Sequence, residues 1–150
     1  MLQTVADETI TILSERYGEL HLTSRQVFAF EKGIVGFQEI KEYGLVALED
    51  TPFFILHATS AQLSFILIPA EKVVIDYSFK IDQETIDLLG IQRPEDVVIF
   101  LIVNIIDDQF YVNLKAPVLI APNQQTGCQF VIHDQDYPIR HPLKPSKEAV

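Results

Sequence analysis

Along most of this chain apolar and polar residues alternate with a period of two. In "TITILSERYG", Ile10 and Ile12 alternate with Thr9 and Thr11. In "GELHLTSRQVFAF", Leu20 and Leu22 alternate with Glu19 and His21. That period sends successive side chains to opposite faces of a strand. "RYGE" between the two stretches predicts a turn, with Gly18 supplying a positive φ. "YGLVALED" predicts a strand ending near Asp50, and "FFILHATS" and "LSFILIPA" predict a hairpin joined through "ATSAQ". "VVIDYSF" predicts a strand or an edge segment. "VVIFLIVNII" reads as a buried strand, Asp107-Asp108-Gln109 as a hairpin turn, and "FYVNLKAPVLIA" as its antiparallel return. "PNQQTG" is a further turn, and "CQFVIHD" predicts the last strand.

The period changes once. In "KIDQETIDLLGI", Asp82 is a helix N-cap, Glu84 lies in the first turn, and Gly90 falls just past the end. Ile86, Leu88 and Leu89 supply the apolar side. "RPEDV" adds another turn, with Pro94 in the first helical position. The expected fold class is therefore all-β: a small β-barrel-like domain of antiparallel strands with a short helical insert near residues 82–96. The reading is of one domain over residues 1–143 and a flexible C-terminal tail at 144–150. "PIRHPLKPSKEAV" carries three prolines and no apolar rhythm, so the chain is expected to be loosely held past Pro142.

Composition supports a packed domain. The chain has 150 residues, 48% of them hydrophobic and ten of them Phe, while 21% charged residues argues against disorder. A single cysteine, Cys128, excludes an intramolecular disulfide and suits a reducing cytoplasm. "MLQTVADETITIL" lacks the basic region and apolar run of a signal peptide. Val97 to Val103, the longest apolar run, is far short of the roughly 18 residues a membrane helix needs. The expectation is a cytoplasmic protein with no membrane partner. Charge narrows the partners further: 21 acids against 11 bases give a net charge of −10, with most of the acids in the first hundred residues. Such a surface repels nucleic-acid phosphate and suits a basic protein partner, or solubility alone.

Candidate chemistry is sparse. Gly33 and Gly36 match neither G-x-G-x-x-G nor G-x-x-x-x-G-K-[ST], and no long helix follows them. They read as a tight turn, with Phe30, Ile34 and Phe37 anchoring it in the core. His21, His57, His133 and His141 form no metal-ligand spacing, and His133-Asp134-Gln135-Asp136 reads as a polar turn. Cys128 sits in a strand pattern with no neighbouring base. The acid pairs Glu49-Asp50, Glu95-Asp96 and Asp107-Asp108 would point to opposite faces of any strand that held them. The residues thus indicate no catalytic group, no metal and no cofactor, and favour a binding or regulatory module over an enzyme. An enzyme with a carboxylate cluster assembled by the fold, and a small-ligand-binding barrel, are the alternatives.

"FEKGIVGFQEI" also resembles the F-x-x-G-I-P-G-F signature of the flagellar assembly factor FliW family, through Phe30, Gly33, Ile34, Gly36 and Phe37. "YVNLKAPVLI" is similar to the family's V-N-L-x-A-P-I/V segment, through Val112, Asn113, Leu114, Ala116, Pro117 and Val118. Pro52-Phe53, Gly127, Tyr137 and Arg140 fall in the expected order. The departures are Val35, where the family usually has proline, and Ala121-Pro122, where an Ile-Asn pair is common. The resemblance implies a small β-barrel-like fold, no cofactor and no catalysis. It implies two protein partners: the translational repressor CsrA, antagonised by a route that does not compete with RNA, and flagellin, which sequesters the factor until it is exported. A flagellin export chaperone without a role in RNA control is the alternative. Within this frame the motif residues Phe30, Gly33, Ile34, Gly36, Phe37, Asn113, Ala116 and Pro117 are expected to be mainly architectural, with an exposed turn serving as a binding edge. Glu71, Asp76, Asp107 and Asp108 are the candidate acidic contacts for CsrA, chosen as acids near predicted loops.

Overall fold

The computed structural model describes residues 8–143. The expected tail at 144–150 and the first seven residues of the expected domain lie outside the described residues.

Seven strands close a barrel. They are β3 (Val27–Ala29), β4 (Glu42–Ala47), β5 (Phe54–Ala58), β6 (Ser64–Pro69), β7 (Val98–Ile106), β9 (Val118–Ala121) and β10 (Thr126–Gln129). The order around the wall is β7-β6-β5-β4-β3-β10-β9, and β9 returns to β7. All pairings are antiparallel except the β3–β10 closure, a parallel contact between Ala29 and Thr126. Strand alternation assigns the faces. Phe28, Tyr43, Leu56, Leu67, Phe100 and Ile120 point inward and form one buried cluster with Phe30 and Ile34. Each such side chain contributes about 1.5–3 kcal/mol relative to exposure.

The outward residues of the wall are themselves apolar, and three covers bury them. β1 (Thr9–Ser14) and β2 (Gly18–Thr23) form a separate two-stranded hairpin. Its Leu22 lies over Gly44, where a Cβ would stand 2.6 Å from Leu22 Cδ1. The hairpin is also tied by side chains. Gln62 accepts from Glu15 N–H and donates to Leu13 O at 2.9 and 2.8 Å. His57 is buried, with Nδ1 2.7 Å from Ala58 O and Nε2 3.1 Å from Ser14 Oγ. A carbonyl only accepts, so Nδ1 carries the proton and Nε2 accepts from the Ser14 hydroxyl. The second cover packs Val73, Val74, Tyr77 and Tyr137 on Ile68, Leu101 and Val103. The third is α1 (Gln83–Leu89), whose Leu89 meets Leu119 and Cys128.

The turns follow their residue chemistry. Gly18 has φ +75°, and Asp107 and Asp108 have φ +51° and +63°. Two consecutive positive φ angles make the two-residue turn after β7 that matches strand twist. Asp82 caps α1 by accepting from Thr85 N–H at 2.9 Å, and Gly90 ends it at φ +72°.

Four expectations are corrected. "GELHLTSRQVFAF" is divided at Ser24–Gln26 by a 3-10 turn, closed by Gln26 Oε1 accepting from Thr23 N–H. "VVIDYSF" forms no strand. Val73 and Val74 N–H groups donate back to Ala70 O in the turn that follows β6, and the segment packs by its side chains instead. "FYVNLKAPVLIA" is two strands, β8 (Gln109–Val112) and β9, on the same edge of β7. Val112 pairs with Val103 and Val118 with Phe100, so six steps on this side face three on β7, and three residues loop out. Asn113 builds that loop, its Oδ1 accepting from Lys115 and Ala116 N–H at 3.0 Å each. The β10 ladder ends at Gln129, before most of "CQFVIHD", although Phe130 and Ile132 N–H still donate to Pro117 and Lys115 O. A two-residue β11 (His141–Pro142) pairs with β8, and Leu143 N–H donates to Phe110 O.

Candidate functional site

The turn at residues 30–40 explains its own glycines. Gly33 N–H donates to Phe30 O at 2.9 Å, and Phe37 N–H to Ile34 O at 2.7 Å. Gly36 has φ +91° at the third position of Ile34–Phe37, which is the geometry of a type II turn. Proline is common at the second position of such turns, where this chain has Val35. Val35 uses its N–H: it donates to Gln129 Oε1 at 3.0 Å, a bond proline lacks. Phe30 and Ile34 are buried, as expected for anchors. Phe37 is not; it is 38% exposed, with its ring against Phe65 at 5.9 Å. Phe65 in turn packs on the interior cluster, so Phe37 half-covers the core from the turn and, with exposed Val35, gives the motif a small apolar rim.

The second motif is a fold element as well. Ala116 and Pro117 are buried and Asn113 organises the loop. Leu114 is fixed from both sides: its N–H donates to Pro138 O at 3.1 Å and its carbonyl accepts from Tyr77 Oη at 2.6 Å.

Glu71, Asp76, Asp107 and Asp108 are all exposed, but they do not converge. Glu71 lies in the turn after Pro69, which pairs with Phe100 near one end of β7. Asp107 and Asp108 follow Ile106 at the other end. Six residues of strand, about 20 Å, separate the two places.

The structure holds an open apolar groove of about 500 Å³, whose lining residues sequence reasoning did not name. Val97, Ile99 and Leu119 form its floor, and Tyr77, Phe79 and Ile86 its walls. Tyr77, Phe79 and Ile81 alternate at period two, a pattern split in the sequence reading between "VVIDYSF", a strand or edge segment, and the helical stretch that follows. Its only charged lining residues are Lys80 and Arg93. Burial, then neighbouring Tyr137, raises the Tyr77 phenol, which stays protonated and donates to Leu114 O. Burial pushes the Cys128 thiol up to about 12, so it is no nucleophile at neutral pH. Among the described residues no group of three or more His, Cys, Asp or Glu could hold a metal ion, and no helix is long and apolar enough to cross a membrane.

Two carboxylates hold the helical wall of the groove. Hydrogen bonds from Thr85, side chain and backbone, keep Asp82 below the usual carboxylate range, and N–H groups of Gln92 and Arg93 do the same for Asp96. A pKa depressed on folding stabilises above the unfolded value, about 4, and that contribution is lost as pH falls through the folded one. Below pH 4, exchange of the Thr85 and Arg93 amide protons should therefore accelerate relative to the barrel amides. Equal acceleration throughout would show that the caps do not set the acid response.

A family model described as FliW protein matches residues 11–143. A flagellar assembly factor FliW from Caldicellulosiruptor saccharolyticus is 35% identical over 135 residues, covering 88% of this chain and 89% of the relative. The one from Geobacillus kaustophilus is 33% identical over 141 residues, covering 92% and 98%. The one from Bacillus subtilis is 32% identical over 136 residues, covering 88% and 95%. A crystal structure of the flagellar assembly factor FliW superposes with a TM-score of 0.81 at 32% identity, covering 91% of this chain and 99% of that one.

Proposed function

Because the chain belongs to the FliW family, we propose that it is a cytoplasmic flagellar assembly factor that binds and antagonises CsrA and is sequestered by flagellin, coupling flagellin translation to export. The observation that supports this best is the open apolar groove on a protein of net charge −10. An apolar groove accepts an amphipathic helix, and flagellin would supply one from a terminal segment. CsrA holds RNA phosphates and so presents positive charge, which an acidic partner approaches by electrostatic steering. The negative field of this protein reaches about 8 Å at physiological salt, so it repels RNA without covering the RNA surface only when the acidic face lies near the RNA path. Glu71 at one place, Asp107 and Asp108 at the other, and exposed Asp76 are the acids offered for that contact. A factor of this kind acts by occupancy, and no residue is assigned a catalytic role.

Calorimetric titration with CsrA, repeated after flagellin is bound, tests the reading. The expected result is tight CsrA binding that flagellin abolishes. Flagellin binding without CsrA binding would leave an export chaperone with no role in RNA control. Flagellin that binds equally well after loss of its terminal segment would remove the groove from the account.

A further inference from the structure

Resting on the reading of the groove as the flagellin site, we infer that it takes a helical segment in one direction only, with the carboxyl-terminal, carboxylate-bearing end against Lys80 and Arg93. Bases are outnumbered almost two to one in this chain, 11 against 21 acids, yet the charged lining of the groove is basic alone. Both cations are exposed, and Arg93 is held only loosely. Arg93 Nη2 stands 3.9 Å from Asp96 Oδ1, and its side chain is 73% exposed. The other oxygen of Asp96, Oδ2, is occupied by the Gln92 and Arg93 N–H groups at 3.1 Å. Lys80 makes no ion pair among the described residues.

The groove continues through its apolar residues, away from Lys80 and Arg93, neither of which lines the continuation. A second depression of about 600 Å³ shares Tyr77, Val97 and Ile99 with it and is lined at its far side by Glu71 and Ile75. Ile75 is 98% exposed, an apolar side chain left in water where a docked segment would cover it. The charge of the trough thus changes sign along its length. A helix carries partial positive charge at its N-terminus and partial negative charge at its C-terminus. The favourable alignment puts the N-terminus by Glu71 and the C-terminus by Lys80 and Arg93, and the reverse alignment sets like charge against like at both ends. The basic end also repels a basic partner, so Lys80 and Arg93 are not expected in the CsrA contact.

The test is K80E/R93E, titrated separately with flagellin and with CsrA. Flagellin affinity is expected to fall roughly tenfold or more while CsrA affinity and the melting curve stay unchanged. Flagellin whose terminal acids are exchanged for lysine should recover binding to the variant. If K80E/R93E folds poorly, K80Q/R93Q and the salt dependence of wild-type binding carry the same test, since a docking set by these charges weakens with salt. Undiminished flagellin binding by either variant, or loss of both partners by a folded one, overturns the directional docking and leaves the flagellin reading standing. No flagellin binding by the wild-type protein removes that reading and the inference with it.

Discussion

Phe30→Ala is expected to lower stability by about 3–5 kcal/mol, read from urea unfolding. The ring is fully buried and meets Tyr43 edge-on at 5.0 Å. It also lies on bare backbone: a Cβ at Gly127 would stand 2.5 Å from Phe30 Cζ. That contact sits at the β3–β10 closure, joined by the single pair Ala29–Thr126. Removing the ring therefore leaves a cavity at the thinnest seam of the barrel, and neighbours held in ladders on both sides collapse into it poorly. A domain of ordinary stability, about 5–15 kcal/mol, would become marginal. Gly127→Ala should destabilise as well, and less in a Phe30→Leu background, where the clash is relieved. Additive losses in that double-mutant cycle would show that the two residues are not coupled.

Gly33→Ala is expected to cost about 2–4 kcal/mol, and Gly36→Ala about 1 kcal/mol. Both glycines have positive φ, which costs an L-residue about 1–2 kcal/mol. The difference is space. A Cβ at Gly33 would meet Gln38 Cα at 2.6 Å and Phe37 O at 2.7 Å, backbone atoms of the same turn that cannot rotate away. At Gly36 nothing lies within 4 Å. Comparable losses at the two positions would mean that φ alone governs the turn.

Local features were legible in the sequence because local chemistry decides them. The Asp82 cap, the Gly90 stop, the turns at Gly18 and at Asp107-Asp108, and the strand-rich all-β class all came from short-range patterns. What escaped depends on partners distant in the chain. Residues 73–79 have strand composition but no ladder to join, and they become a cover instead. Asn113 breaks a good strand pattern because its side chain satisfies two backbone donors, an option composition does not display. Phe37 was expected inside because it is apolar, whereas the direction of the turn decides its side. The groove joins residues 77–81, α1 and β9, so only the closed barrel creates it. Alternation at Tyr77, Phe79 and Ile81 hinted that these side chains share a face, without saying what faced them.

The β1–β2 hairpin shares no ladder with the barrel. It is held by Leu22 over Gly44, by Gln62, and by the hydroxyl–imidazole pair of Ser14 and His57. The chain therefore contains two cooperative units of unequal strength. Subglobal opening can lift the hairpin while every wall strand stays paired, and its amides should exchange at a lower free energy than global unfolding. The surface under the hairpin is then the first part of the wall that water reaches.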